Sequence, residues 1–354
     1  MDFKDIGYDE KLVNREDGLM LGRITAVHRE LYKVICAKGE IEAVLKASIY
    51  HYGGMEEAFP AVGDYILLDY NSSGSSRIAR TLERKSYFSR KDPDIGKGEQ
   101  VVAANFDYVF ILMSLNHDFN LKRLERYLTA SWQSGGTPVV LLTKVDLVED
   151  YEEAIKQVRE AAIGVQVLGI SSKTGVGLEE LEQFIQPGKT IVCLGSSGVG
   201  KSSLVNALLG KEYMKTSSIR EEDSKGHHTT THRQLLFLEN GAMLIDTPGM
   251  RVLGMWDISS GLSEAFVEVD TLIRQCKFSD CTHHNEPGCA INKALENGDL
   301  SLDRWQNYLK LQKEATFSEN KTLYLKHAKE IGKQHAKSIK QKRQVQGKRN
   351  KGEY

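Results

Sequence analysis

A chain of 354 residues with 40% apolar side chains has the length for two or three domains and the material for real cores, which excludes a disordered or fibrous polypeptide. No apolar run approaches the roughly 20 residues of a membrane span, and five cysteines in a chain of this size do not suggest a disulfide framework. The net charge of −1 conceals an asymmetry: ten Lys or Arg against one acid, Glu330, give residues 326–351 a charge of +9 and leave −10 elsewhere, and a basic tail on an acidic body points to a polyanionic partner.

Residues 1–19 are a polar N-terminal segment. Its start, Met1-Asp2-Phe3-Lys4-Asp5, lacks the apolar core of a signal peptide, so a cytoplasmic protein without membrane attachment is expected. Over 20–89, five short alternating runs read as strands: Leu21 to Val27, Tyr32 to Cys36, Ile41 to Leu45, Asp64 to Tyr70 and Arg77 to Leu82. That density of short strands predicts a small barrel of the OB type. Residues 84–105 carry Arg84, Lys85, Arg90, Lys91 and Lys97 with scattered glycine, and 90–106 is expected to be a linker.

From Asp107 the period changes. Tyr108 to Met113 is a continuous apolar run, the mark of a strand covered on both faces. Leu121, Leu124, Leu128 and Trp132 share one helical face. A strand at 138–142, a helix at 150–162, a strand at 165–170 and a short helix at 177–185 follow. Next come a strand at 190–194, a helix from Ser203, and a hairpin whose strands, 233–238 and 242–245, flank Glu239-Asn240-Gly241. Residues 107–258 therefore read as a doubly wound α/β domain. Residues 259–325 are mainly helical and contain a cysteine cluster, and 326–354 are the basic tail.

Within the α/β region, Gly195-Ser196-Ser197-Gly198-Val199-Gly200-Lys201-Ser202 satisfies G-x-x-x-x-G-K-[ST] in the strand–loop–helix setting that phosphate binding requires. Glycines let backbone N–H groups converge on phosphate oxygens, and the helix entered at Ser202-Ser203 adds its positive end. Lys201 is placed for the β- and γ-phosphates and the Ser202 hydroxyl for Mg²⁺.

Asp246-Thr247-Pro248-Gly249 ends the apolar strand 45 residues after Lys201. Asp246 is placed for the Mg²⁺ shell and the Gly249 N–H for the γ-phosphate. Thr143-Lys144-Val145-Asp146 follows the strand at 138–142. The Asp146 carboxylate can accept from guanine N1–H and the exocyclic amine together, whereas adenine leaves that charge unpaired. Ser171-Ser172-Lys173, ending the next strand, puts a backbone N–H at Ser172 near guanine O6. In Gly226-His227-His228-Thr229-Thr230-Thr231, Thr230 is the expected Mg²⁺ and γ-phosphate threonine, with Thr229 and Thr231 as alternatives. Met250 stands after Gly249 and cannot orient a water, so intrinsic hydrolysis is expected to be slow, with His228 or a group of a partner orienting that water.

Cys276-x4-Cys281-x-His283-x5-Cys289 supplies three thiolates and an imidazole, His283 or the adjacent His284. That donor set suits a closed, tetrahedral structural zinc site.

These stretches are those of the GTPase signature set in a changed order, since the guanine-reading loops precede the phosphate loop. Chain ends of a compact domain often lie close together, so such a circular permutation is physically accessible. The barrel, the permuted GTPase and the C-terminal cysteine cluster together resemble the RsgA family (YjeQ or YloQ), the bacterial small ribosomal subunit-dependent GTPases, over nearly all of residues 20–320. Two positions depart from the family pattern: Thr143 replaces the usual Asn and Ser172 the usual Ala. The resemblance implies a circularly permuted P-loop GTPase domain with an OB-like barrel and a helical zinc domain, with His283 as the fourth zinc ligand. It further implies hydrolysis of GTP to GDP, one structural Zn²⁺, Mg²⁺ with the nucleotide, and binding of the 30S subunit and 16S rRNA by a monomer acting in late maturation. A GTP-dependent RNA-binding scaffold for another assembly step is the alternative.

Overall fold

The computed structural model describes residues 6–8, 18–28, 31–46, 59–91, 99–115, 119–214, 233–246, 259–284 and 286–316. Five strands close a barrel: β1 (Met20–His28), β2 (Leu31–Cys36), β3 (Gly39–Leu45), β4 (Tyr65–Asp69) and β5 (Ser76–Thr81). β1, β2 and β3 pair antiparallel, β3 runs parallel to β5, and β4 pairs with β5 and returns to β1. Ile24, Val34, Ile66, Leu68 and Ile78 fill the interior. At Gly22 a side chain would stand 2.5 Å from Val34, so glycine is required where the strands cross closely. This is the OB-like barrel expected from the alternation.

The linker expected at 90–106 is corrected by the structure. β6 (Tyr87–Lys91) and β7 (Glu99–Ala104) pair antiparallel as a two-stranded ribbon, anchored by Phe88 stacked on Phe106 at 4.9 Å.

The α/β sheet contains β8 (Tyr108–Ser114), β9 (Thr137–Thr143), β10 (Gln166–Ile170), β11 (Thr190–Leu194), β12 (Gln234–Phe237) and β13 (Met243–Asp246), in the order β10-β9-β8-β11-β13-β12. All are parallel except β12. Helices α1 (Leu121–Gln133), α2 (Glu152–Ala161) and α3 (Lys201–Leu209) cover it. Val109 and Ile111 join the core beneath α1, and Phe110 and Leu112 the opposite core beneath α3. Burial on both faces explains the unbroken apolar run of β8. The short helix expected at 177–185 is only a 3₁₀ turn at Glu179–Leu181.

Toward the C-terminus lie α4 (Ser259–Ala265), α5 (Val267–Arg274), α6 (Ala290–Asn297) and α7, helical over 302–316. α4 crosses α1 so tightly that a side chain at Gly261 would sit 2.2 Å from the Thr129 carbonyl. Arg304 of α7 completes the docking. It bonds Glu125 of α1 and Glu268 of α5, each at 2.7 Å, and stacks over Phe266 at 4.3 Å.

The barrel and the α/β sheet are continuous, because Ala26 of β1 pairs with Gln234 of β12. Arg23, three residues earlier and fully buried, is another attachment. Its guanidinium donates to the carbonyls of Gly63, Ile6 and Asn105, to Thr190 Oγ1 and to Met243 Sδ. These partners use all five N–H donors of an arginine, and the cation also lies 4.7 Å from the centre of the Tyr65 ring. Arg23→Met leaves those oxygens unpaired in a dry junction. The expected loss is about 3–5 kcal/mol, read as a lower denaturant midpoint at unchanged slope. Arg23→Lys falls between, since three donors on a point charge cannot reach five partners.

Candidate nucleotide pocket and metal centre

Parallel strands present their carboxyl ends on one edge, where α/β sheets hold ligands. The three sequence-predicted loops on described residues emerge there. Residues 195–200 join β11 to α3. Gly195, Gly198 and Gly200 have φ of 149°, 75° and 104°, and a side chain at Gly195 would stand 2.7 Å from the Leu112 carbonyl. Glycine is therefore required for this backbone path. Ser196, Ser197 and Val199 complete the loop, and Lys201, Ser202 and Ser203 begin α3, whose first N–H groups have no helical acceptor. The Lys201 ammonium folds back over the loop onto the carbonyls of Gly195 (2.6 Å) and Ser196 (2.5 Å).

Thr143 ends β9 opposite Ile170 of β10, so the loops 143–146 and 171–173 leave the sheet side by side. The Thr143 hydroxyl donates to the Val199 carbonyl at 2.6 Å and the Lys144 ammonium to the Gly198 carbonyl at 2.7 Å. Lys144 takes a left-handed backbone with φ 62°, and the chain turns through Val145 so that Asp146 meets Ser171, whose hydroxyl donates to Oδ1 at 2.7 Å. The loops at 143–146 and 195–200 are thus tied together by two side-chain hydrogen bonds.

Asp246 ends β13, two strands from the barrel edge. Burial pushes its carboxyl up to about 6, and nearby Lys201 draws it back down. A divalent cation there would favour the ionised form. Beneath the loop, burial pushes the Cys193 thiol up to about 12, so it remains an inert thiol. Thr230, His228 and Gly249, and the basic tail, lie outside the described residues.

The second cluster stands between α5 and α6. The Sγ atoms of Cys276, Cys281 and Cys289 and a ring nitrogen of His283 all lie within 4.8 Å of one another. His283 Nδ1 is 3.5 Å from Cys276 Sγ and 3.6 Å from Cys289 Sγ. His283 reaches inward with a left-handed backbone, φ 61°, and packs edge-on against Trp305. His284 instead turns its Nδ1 to the Thr282 carbonyl at 2.8 Å, which separates the two histidines that the spacing left open. Glu286 accepts from the hydroxyl and the N–H of Thr282 and the N–H of His284, and these bonds, led by the hydroxyl, hold its carboxyl down at about 2. Three soft sulfur donors and one imidazole fit a tetrahedral metal with no open position.

A profile of the RsgA GTPase family matches residues 81–256. A small ribosomal subunit biogenesis GTPase RsgA 2 of Listeria monocytogenes is 48% identical over 300 residues, 85% of each chain. A small ribosomal subunit biogenesis GTPase RsgA of Methanosarcina acetivorans is 40% identical over 349 residues, 97% of this chain and 94% of its own. The chain belongs to the RsgA GTPase family. Solved structures agree: YjeQ from Thermotoga maritima superposes with a TM-score of 0.64 at 28% identity, covering 84% of this chain and 99% of its own. YloQ, described as a circularly permuted GTPase, gives 0.61 at 26%, covering 86% and 97%.

In this member of the family Thr143 stands in the place expected for Asn, yet its hydroxyl makes the brace to the loop at 195–200. Ser171 had no expected role beyond its place in the 171–173 stretch; its side chain meets Asp146. Asn206 of α3 was not expected to contribute at all. Its side chain accepts from the N–H groups of Tyr213 and Met214 and donates to the Met214 carbonyl. An Asn inside a helix that is closed by glycine four residues later, at Gly210 after Leu209, is the available sequence signal for such a return.

Proposed function

We propose that this chain hydrolyses GTP to GDP and phosphate while bound to the small ribosomal subunit, in a late step of that subunit's maturation. The observation that carries the reading is the double tie of Thr143 to Val199 and Lys144 to Gly198, which makes one pocket of two loops suited to guanine and to phosphates. The relatives' names supply the subunit.

In this reading Asp146, oriented by Ser171, accepts from the guanine edge, and the Ser172 N–H faces O6. The N–H groups of 195–203 surround the phosphates, and Lys201 moves from its carbonyl partners onto the β- and γ-oxygens. Ser202, Asp246 and Thr230 would hold Mg²⁺, which supplies charge neutralisation of the phosphates when bound. Gly249 donates to the γ-phosphate. Met250 offers no hydrogen bond to the attacking water, so His228 or a subunit group orients it. The barrel over 20–89 and the tail over 326–354 contact 16S rRNA phosphates, the α/β domain over 107–258 reads the nucleotide, and the unit over 259–325 carries the metal. The protein acts as a monomer in the cytoplasm, apart from membranes.

Turnover measured with and without purified 30S particles tests the reading. Stimulation by 30S and not by 50S is the expected result; equal rates with and without 30S would defeat it.

Cys276, Cys281, His283 and Cys289 would hold one Zn²⁺, which supplies a structural crosslink. Protein purified without chelator contains about one zinc per chain on this reading, and Cys281→Ser loses it together with the protection of residues 276–289 from proteolysis. Full folding and protease resistance with no bound metal would count against it.

A further inference from the structure

Gln234 is where three parts of the molecule meet. Its backbone pairs with Ala26 of the barrel strand β1 on one side and with Asp246 of β13 on the other. Its side-chain oxygen accepts the Tyr213 hydroxyl at 2.9 Å. Tyr213 and Met214 are gripped by Asn206 at 2.7–3.1 Å, and Asn206 lies four residues beyond Ser202, on the same face of α3. Hydrogen bonds and one helical turn therefore run from the barrel edge to both described groups placed for magnesium. Arg23 fixes β1 to the opposite ends of β11 and β13, at Thr190 and Met243. Strand β1 is thus pinned at the foot of the sheet by a buried cation. Toward the nucleotide end it is joined by the Ala26–Gln234 pairing and by Val27, which packs against the core of the α/β sheet.

We infer that Tyr213 and Gln234 are positioning residues that transmit the seating of the barrel on ribosomal RNA to the magnesium side of the nucleotide pocket. The inference rests on the proposed function for the identity of the RNA, and on the hydrogen bonds above for the route. Neither residue is among those given a phosphate-, magnesium- or base-binding role in the proposed function. The Tyr213 hydroxyl fixes the chain leaving α3 against β12, and β12 carries the barrel strand on its far edge. A barrel held by RNA sets the position of β12, and β12 sets Asp246 relative to Ser202.

The test uses the full chain and two readouts. Tyr213→Phe and Gln234→Leu each remove the side-chain bond while keeping the bulk. Each is expected to lower 30S-stimulated kcat about five-fold, the worth of one hydrogen bond, with KM, affinity for fluorescent GDP and melting temperature unchanged. The double variant is expected to match either single one, because the two residues act as one unit. Independent additive losses, a parallel fall in GDP affinity, or unchanged stimulation beside a stimulated wild type would overturn the inference. The second readout needs no ribosomal particle. Mg²⁺-GDP is expected to slow amide exchange at residues 24–27 of the wild type and not of Gln234→Leu. Equal slowing in both, or none in the wild type, would overturn the pairing even if 30S stimulation itself were absent, a result that would count against the proposed function instead.

Discussion

Lys201→Ala lowers 30S-stimulated turnover at saturating GTP on the order of 10²–10³-fold, the loss seen when one preorganised donor to a developing anion is removed. The size follows from the site. Without ligand the ammonium is parked on two carbonyls of its own loop, partners that hold it in place and are weaker than phosphate oxygens. Charge grows on the transferring group only as the bond breaks, so the lysine contributes more in the transition state than in the bound state. GDP affinity therefore falls much less than kcat. Lys201→Arg does not rescue, because a planar fork cannot follow the path of a point charge through a loop that already touches Leu112. Single-turnover phosphate release checks the prediction, and a residual rate above a tenth of wild type would contradict it.

Asp146→Asn exchanges base preference. Guanine offers two adjacent donors and the carboxylate two acceptors, so the variant loses one bond outright and the charge on the other. One charge-assisted bond lost and a second reduced to a neutral one cost about 2.5–4.5 kcal/mol, or roughly 10²–10³-fold in GDP affinity. The amide now presents one donor and one acceptor, which matches the N1–H and C2 carbonyl of xanthine, so XDP binds more tightly than GDP. Ser171 still orients the group, since a hydroxyl rotates to suit either partner. Asp146 is exposed, so melting temperature stays constant and the change is one of recognition. Competition of GDP, XDP and ADP against a fluorescent nucleotide measures it; an unchanged preference for GDP would remove Asp146 from the pocket.

What the sequence made legible was short-range. The apolar run of β8, the glycine spacing at 195–200 and the cysteine spacing at 276–289 each encode their own structure within a few residues. The changed order of the loops was legible too, since each loop sits at the end of a recognisable strand. The pairing of 87–91 with 99–104 was not, because Arg90 and Lys91 mask the alternation of a strand only five residues long. Arg23 was opaque for another reason. Nothing near Gly22-Arg23-Ile24 announces burial, and its partners come from residues 6, 63, 105, 190 and 243. The pairing of Ser171 with Asp146 likewise exists only once β9 and β10 stand side by side.

The tight crossing of α4 over α1 bears on how the molecule is made. Gly261 and Arg304 meet α1 across 128 and 179 residues of chain. A nascent polypeptide emerges N-terminal end first, so the outer side of α1, with Thr129 and Glu125, stays bare until the last helices are synthesised. Losing those helices would leave that apolar and acidic surface open for good, and the truncated product would be expected to accumulate with chaperones and not as free protein.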